Sequence, residues 1–367
     1  MKILYDHQTF TLQNYGGISR YFFELIRYFN KSKDTDIDVS LLFSNNHYIS
    51  DKRDINHIQF LPNNEFRGKQ RLMLLINKII SIIRIKKQHF DLFHPTYYDP
   101  YFLKYIDQKP FVLTVYDMTH EKFSEMFLSN DPTTQNKRTL CEKASKIISI
   151  SQSTKNDLIE LFGIEESKIE VIYLGNSMVL DNTVDLDNTV PKKYILFVGS
   201  RSSYKNFDTF IKSASLLLRE HSDLSLVCVG GGKFSNQEIS LFEKLNIKNK
   251  VFQYNLKDKL LAQFYAKALM FVFPSLYEGF GIPILEAFAC RCPLLCSNTS
   301  SLPEIAGDGA EYFNPYSEES IYNAMKKILE NDEQRESLIK NGTQRLKSFS
   351  WEQTAKQTKE VYEGVLK

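Results

Sequence analysis

Short apolar runs alternate with amphipathic helical stretches along almost the whole 367-residue chain, and few folds accept that order. Strands separated by helices pair in parallel, because a parallel connection needs a crossover of a dozen or more residues. In the first half, Ile3–Tyr5, Ile37–Phe43, Ile58–Leu61, Asp91–His94, Phe111–Tyr116, Ile147–Ile150 and Val171–Leu174 read as strands. Several are too continuously apolar to leave one face in water, as in sheets covered on both sides. The clearest helix runs from Ile18 to Phe29, with Ile18, Tyr21, Phe22, Leu25, Ile26 and Phe29 at helical spacing. In the second half, Tyr194–Val198, Leu224–Val229, Val251–Tyr254, Met270–Phe273 and Leu294–Cys296 read as strands. Asp208–Leu218, Lys259–Ala268, Ile282–Ala289 and Ile321–Leu329 read as helices.

At roughly 100–200 residues per domain, this length makes two domains. The break is legible as a near-tandem repeat, Leu180-Asp181-Asn182-Thr183-Val184 followed by Leu186-Asp187-Asn188-Thr189-Val190. An exposed linker tolerates such a duplication. The expectation is an N-terminal domain over 1–179, a linker at 180–190 and a C-terminal domain over 191–349, with 350–367 as a closing helix. Two doubly wound α/β domains would share a cleft, and ligands in such sheets sit beyond the carboxyl ends of the strands. With 46 Lys+Arg against 44 Asp+Glu, the chain lacks the basic excess of a dedicated nucleic-acid binder. The five cysteines (Cys141, Cys228, Cys290, Cys292, Cys296) are an odd set in apolar surroundings. They read as structural thiols rather than a disulfide framework or a metal site. The start of the chain shows no signal-peptide core and no stretch reaches about 18 apolar residues, so a cytoplasmic location is expected.

Three loops leave strands carrying chemistry. Asn14-Tyr15-Gly16-Gly17-Ile18-Ser19-Arg20 opens a helix, whose free amides and positive dipole end suit an anion near Gly16 and Gly17. Gly199-Ser200-Arg201-Ser202-Ser203-Tyr204-Lys205 places two cations, Arg201 and Lys205, where a diphosphate could be held. The third and richest is Pro274-Ser275-Leu276-Tyr277-Glu278-Gly279-Phe280-Gly281-Ile282-Pro283-Ile284-Leu285-Glu286. Pro283 is tolerated in the first helical turn. Glu278 and Glu286 can accept from the hydroxyls of a polyol, and amides near Phe280, Gly281 and Ile282 can hold hydroxyl or phosphate oxygens.

This third run, with Cys292-Pro293 and Ser297-Asn298-Thr299-Ser300-Ser301-Leu302-Pro303-Glu304-Ile305-Ala306-Gly307 after it, closely resembles the GT4 family of retaining glycosyltransferases. Glu278 and Glu286 match its E-x7-E motif. The resemblance extends to the Gly16-Gly17 loop, the Arg201/Lys205 loop and the closing Ser350-Trp351-Glu352 segment. It implies the GT-B architecture: α/β, with two facing Rossmann-like doubly wound domains and a C-terminal helix crossing back to the first. The C-terminal domain would bind a nucleotide-sugar donor and the N-terminal domain a glycan acceptor. Arg201 and Lys205, with Ser200, would hold the diphosphate, and Glu286 the ribose. Glu278, Gly279 and the amides of Phe280, Gly281 and Ile282 would address the sugar, with Gly16 and Gly17 near the phosphate. The loop Tyr254–Asp258, including Leu256, would line the base. Many members carry a His just before the Asp of Tyr116-Asp117-Met118-Thr119-His120; Tyr116 stands there instead, leaving Asp117 and His120 as the polar candidates. His94 and Tyr97 are acceptor-side candidates.

The implied chemistry is metal-independent retention of configuration, with Arg201 and Lys205 in place of a metal ion. Asp34-Thr35-Asp36, Asp36-Ile37-Asp38 and Asp185-Leu186-Asp187 read as solvated charge, not as metal-binding Asp-x-Asp motifs. No cofactor is expected. From Phe66 to Lys87 the chain has seven basic residues, no acidic one and many Ile and Leu, which suits either an anionic membrane surface or a crossover helix with basic ends. The expected function is transfer of a sugar, with mannose from a GDP-sugar favoured over a UDP-sugar, onto a lipid-linked glycan of bacterial O-antigen or capsule. The competing readings are a GT-B nucleotide-sugar epimerase and a non-catalytic nucleotide-sugar-binding subunit.

Overall fold

A computed structural model describes residues 1–31, 34–50, 54–64, 66–181, 183–187, 189–201, 203–256 and 258–367. Asn182 and Asn188 of the repeat, Ser202 and Lys257 therefore lie outside the described residues. The chain forms two compact units. The first comprises Met1–Leu174 with Trp351–Lys367, and the second Gly175–Ser350. The boundary thus falls ahead of 180–190, which belongs to the second unit. There Val190 is buried and the Gln263 amide donates to Asp181 O at 2.6 Å.

In the first unit, β1 (Lys2–Tyr5), β2 (Asp36–Val39) and β3 (Leu92–His94) form a parallel sheet in the order β2-β1-β3. A second parallel sheet runs β4 (Val112–Val115), β5 (Lys146–Ser149), β6 (Ile169–Val171). A bridge between Phe93 and Phe111 links the two, so the strands follow one another across the unit. Strands β3 and β4 are buried at every position, as continuous apolar runs require. Ile58–Leu61, expected as a strand, makes only an isolated bridge at Ile58. Its neighbour Phe60 is instead clamped by the Asn45 side chain, which takes both the Phe60 N–H and its carbonyl.

The second unit holds one six-stranded parallel sheet. Its strands are β7 (Tyr194–Val198), β8 (Ser225–Val229), β9 (Val251–Tyr254), β10 (Met270–Phe273), β11 (Leu294–Ser297) and β12 (Ala310–Phe313), in the order β12-β11-β10-β7-β8-β9. Strand order reverses between β7 and β10, the neighbours at the centre of the sheet. Strand β12 has no counterpart in the sequence reading, because this edge strand is half-open at Glu311 and Tyr312 and lacks a continuous apolar run. The five cysteines are free and buried, and burial raises each thiol pKa well above its usual range.

The closing helix Trp351–Leu366 belongs to the first unit and packs on helix Gly17–Phe29. Its Tyr362 is the centre of a buried polar network. The Tyr362 hydroxyl meets Tyr5 Oη at 2.9 Å and His94 Nδ1 at 2.6 Å, while His94 Nε2 meets Thr114 Oγ1 at 2.9 Å. This corrects the acceptor role expected of His94. The imidazole is fully buried with both nitrogens engaged, and it joins β3 to β4 and to the last helix. Desolvation lowers its pKa to about 3, so it is neutral in the folded chain.

Because the folded pKa lies below the unfolded value of about 6.5, the unfolded chain binds the extra proton. Stability is therefore fullest above pH 6.5 and falls as pH drops toward 3, with a contribution from this group of up to about 1.4 kcal/mol per pH unit. Urea denaturation of the parent and of His94→Gln at several pH values checks this. The difference between the two curves should grow above pH 3 and level off beyond 6.5.

Candidate functional site

Loops leaving β7 and β10 meet at the strand-order reversal. Each follows a buried strand, so its first residues are fixed by the sheet. The Leu276 N–H donates to Tyr204 O at 2.8 Å, tying the two loops together. Their side chains then converge: Lys205 Nζ lies 2.6 Å from Glu278 Oε1, with both groups mostly buried. A cation and a carboxylate are thus presented at one point beyond the carboxyl end of the sheet.

The 275–281 segment is held by a hydroxyl-rich stretch that follows β11. Ser300 Oγ accepts from Glu278 N at 3.0 Å, and Thr299 Oγ1 donates to Leu276 O at 3.0 Å. Ser301 Oγ bonds the carbonyls of Glu278 and Phe280 at 2.8 and 3.0 Å. Gly281 caps helix Ile282–Ala289 with φ +97°, and a Cβ there would stand 3.0 Å from Leu302 Cδ2. Only glycine enters this turn without strain. Gly279 and Phe280 are buried within it. Inside the helix, Glu286 is 9% exposed and accepts from Tyr265 Oη at 3.1 Å. Burial and the Glu286 charge keep the Tyr265 phenol protonated, so it remains a donor.

Arg201 is engaged otherwise than the sequence suggests. Its Nε pairs with Glu238, and Nη1 and Nη2 donate to Gly230 O at 3.0 Å and Gly232 O at 3.1 Å. Gly230, Gly231 and Gly232 all have positive φ and wrap the guanidinium; a Cβ on Gly231 would lie 2.7 Å from Arg201 Nη1. Burial opposes ionisation of Glu238, but bonds from Arg201 and the Ser235 backbone outweigh it and hold the carboxyl below its usual range. Arg201 is therefore a clamp on this glycine loop, and its side chain is 5% exposed. Ser200 is exposed beside it, and Leu256 is half-buried just past β9.

The first unit gathers a separate cluster after β4. Asp117 Oδ1 accepts from Thr119 N at 2.9 Å, and His120 stacks on Phe127 at 3.8 Å with Nε2 3.8 Å from Asp131 Oδ2. Burial, then the Lys137 charge, lower the His120 pKa. Tyr97 belongs here too: burial, then Asp117, Asp131 and Glu121, raise its phenol to about 12. Beneath lies a buried ion pair, Lys137 Nζ to Glu121 Oε2 at 2.8 Å, with side chains 1% and 4% exposed. Lys137 also donates to Asp117 O at 3.0 Å. Tyr116 is buried and fills the position before Asp117.

Gly16 and Gly17 start a helix of the same unit. Gln13 Oε1 accepts from Ser19 N at 3.1 Å, and the loop is braced by Asn46 Nδ2 to Gln13 O at 2.6 Å and His47 N to Asn14 O at 2.9 Å. Exposed Tyr15 stacks on His47 at 4.6 Å beside it. Among the described residues no group of three or more His, Cys, Asp or Glu is disposed to hold a metal ion. None of their helices is long and apolar enough to cross a membrane.

Comparison with known proteins agrees with this architecture. Residues 15–176 match the family described as Glycosyltransferase Family 4, and residues 183–345 match Glycosyl transferases group 1. O-antigen chain mannosyltransferase B of Escherichia coli is 29% identical over 60% of this chain and 61% of its own length. The N-acetylgalactosamine-N,N'-diacetylbacillosaminyl-diphospho-undecaprenol 4-alpha-N-acetylgalactosaminyltransferase of Campylobacter jejuni is 30% identical over 57% of this chain and 58% of its own length. The matched region thus spans about three fifths of each relative. The crystal structure of Anabaena Alr3699/HepE in complex with UDP and glucose superposes with a TM-score of 0.73 at 17% identity, covering 99% of both chains. The fold is that of the GT-B glycosyltransferases. The chain belongs to the GT4 family of glycosyltransferases.

Replacing Lys137 by Met should orphan the buried Glu121 carboxylate and cost about 3–5 kcal/mol. Denaturant unfolding measures it, and Lys137→Met/Glu121→Gln should recover most of the loss.

Proposed function

We propose that the chain transfers a sugar from a nucleotide-sugar to a lipid-linked glycan acceptor in surface polysaccharide synthesis. The observation that carries this is the Lys205–Glu278 pair at the reversal point of the second sheet, 2.6 Å apart. Lys205 is the group that meets the donor diphosphate, exchanging Glu278 for phosphate oxygens. Glu278, released, accepts from hydroxyls of the transferred sugar, along with the amides of Gly279, Phe280, Gly281 and Ile282. Glu286, oriented by Tyr265, accepts from the ribose. Arg201 acts through the glycine loop that it clamps, and Leu256 lines the base. In the first unit, Gly16 and Gly17 offer helix amides to an anion, and Asp117, His120 and Tyr97 serve the acceptor.

In the transfer the bond from the anomeric carbon to the diphosphate breaks and the acceptor oxygen bonds the same face of that carbon. The acceptor proton passes to the departing phosphate oxygen, and configuration is retained. Lys205 stabilises the charge that develops on the diphosphate, so no metal ion is required. Mannose is supported by the name of the E. coli relative, and a lipid diphosphate carrier by that of the Campylobacter relative. The complex of the Anabaena protein with UDP makes a uridine donor as open as a guanosine one. Such an acceptor places the working protein at the cytoplasmic face of a membrane.

Thermal shift against a panel of GDP- and UDP-sugars should single out one donor, since a ligand of the native state stabilises it by mass action. Glu286→Ala should reduce that shift and cut kcat/KM for the donor on the order of tenfold to a hundredfold, the loss of one or two charge-assisted bonds. Lys205→Ala should lower kcat on the order of a hundredfold or more. Near-normal donor turnover in both variants would refute the assignment.

A further inference from the structure

Helix Lys69–Lys86 is built inside out. The side it buries carries Lys69, Met73, Asn77, Ser81 and Ile85, three of them polar. Asn77 accepts from Leu42 N and Phe43 N at 3.1 and 2.9 Å and donates to Phe43 O at 2.7 Å. Ser81 Oγ meets Ser40 Oγ at 2.7 Å and Tyr101 Oη at 2.6 Å. The opposite side carries Leu72, Leu75, Ile79 and Ile83, between 43% and 57% exposed. Steps of three and four residues align these four on one face. Phe66, 44% exposed, precedes the helix. A helix that anchors itself to its unit by polar side chains has left its aliphatic ones for another occupant.

The charges around this stripe identify the occupant. No acidic residue occurs from Phe66 to Lys87. Three of the seven cations are committed to the unit: Lys69 is buried, Lys78 pairs with Asp99 at 2.8 Å and Arg84 with Asp38 at 2.5 Å. Arg67 and Arg71 at one end and Lys86 and Lys87 at the other are exposed. Eighteen residues at about 1.5 Å rise lie along a surface over roughly 27 Å. An aliphatic strip with cations at both ends fits the boundary between acyl chains and anionic headgroups, where one plane supplies both partners. We infer that the outer face of helix Lys69–Lys86 docks the protein on an anionic lipid surface, with Leu72, Leu75, Ile79 and Ile83 entering it. The surface follows from the first unit alone, and it deepens the reading of a lipid-linked acceptor without resting on the donor assignment.

Cosedimentation of the full chain with phosphatidylcholine vesicles, with and without one third phosphatidylglycerol, tests it. Binding to the anionic vesicles, weakened by salt, and much weaker binding to neutral ones are expected. Leu75→Ser/Ile79→Ser/Ile83→Ser should lose binding on the order of tenfold or more with every cation intact. Arg71→Gln/Lys86→Gln should lose on the order of tenfold and flatten the salt dependence. Both variants should keep the parent melting temperature and, in solution, its donor hydrolysis, so a failure here is distinct from a failure of the donor site. A parent chain that ignores anionic vesicles, or a serine variant that binds them as the parent does, overturns the inference. So does a parent that sediments as a dimer while the serine variant is monomeric, which would assign the face to a second copy.

Discussion

A parallel sheet requires every strand to be followed by a crossover, and the crossovers cover both faces of the sheet. Side chains that do chemistry are then confined to the loops at the carboxyl ends. The second unit obeys this constraint throughout: β7 and β10 are central and buried, and the pair Lys205–Glu278 hangs from the two loops that leave them. The hydroxyls of Thr299, Ser300 and Ser301, delivered by the next strand, turn one of those loops into a fixed object. The constraint also explains the glycines. Where the chain must leave a strand and enter a helix in few residues, it passes through left-handed backbone at Gly199 and Gly281.

Two kinds of group share these loops, and they differ in how they are held. Glu278 and Lys205 are bonded to each other across the two loops, and neither side chain is fully buried. Glu286 with Tyr265, and Arg201 with Glu238 and the glycine loop, are tied to the protein. The first unit shows the same division. Asp117 and His120 follow β4 and Tyr97 follows β3, and the buried Lys137–Glu121 pair holds the Asp117 carbonyl.

Much of this was legible in the residues. Strands Tyr194–Val198, Val251–Tyr254 and Met270–Phe273 fall where apolar runs place them, because buried parallel strands leave an unbroken signal. Glu278 and Lys205 could be nominated because each lies in a loop after a buried strand where it suits a polyol or a diphosphate, and because Glu278 matches the E-x7-E motif. The partners were not legible. Glu238 lies 37 residues from Arg201, and Lys137 lies 16 from Glu121, so only the fold brings them together. Asp6, fully buried at the end of β1 and bonded by Thr96, Gln8 and Tyr101, left no mark in the sequence pattern for the same reason. His94 was misplaced because a His at a strand end reads alike whether it points to a ligand or to the core. The basic segment 66–87 showed its composition but not which side of the helix would be wet.

The closing helix has a bearing on how the molecule is made. The second unit is continuous from Gly175 to Ser350, whereas the first is interrupted and needs Trp351–Lys367 for completion. Until Tyr362 leaves the ribosome, the Tyr5 hydroxyl and His94 Nδ1 lack the partner that the folded unit gives them. Domains commonly fold in the order of synthesis. Here the half made first can complete its buried polar network only when the half made second and one more helix have been made.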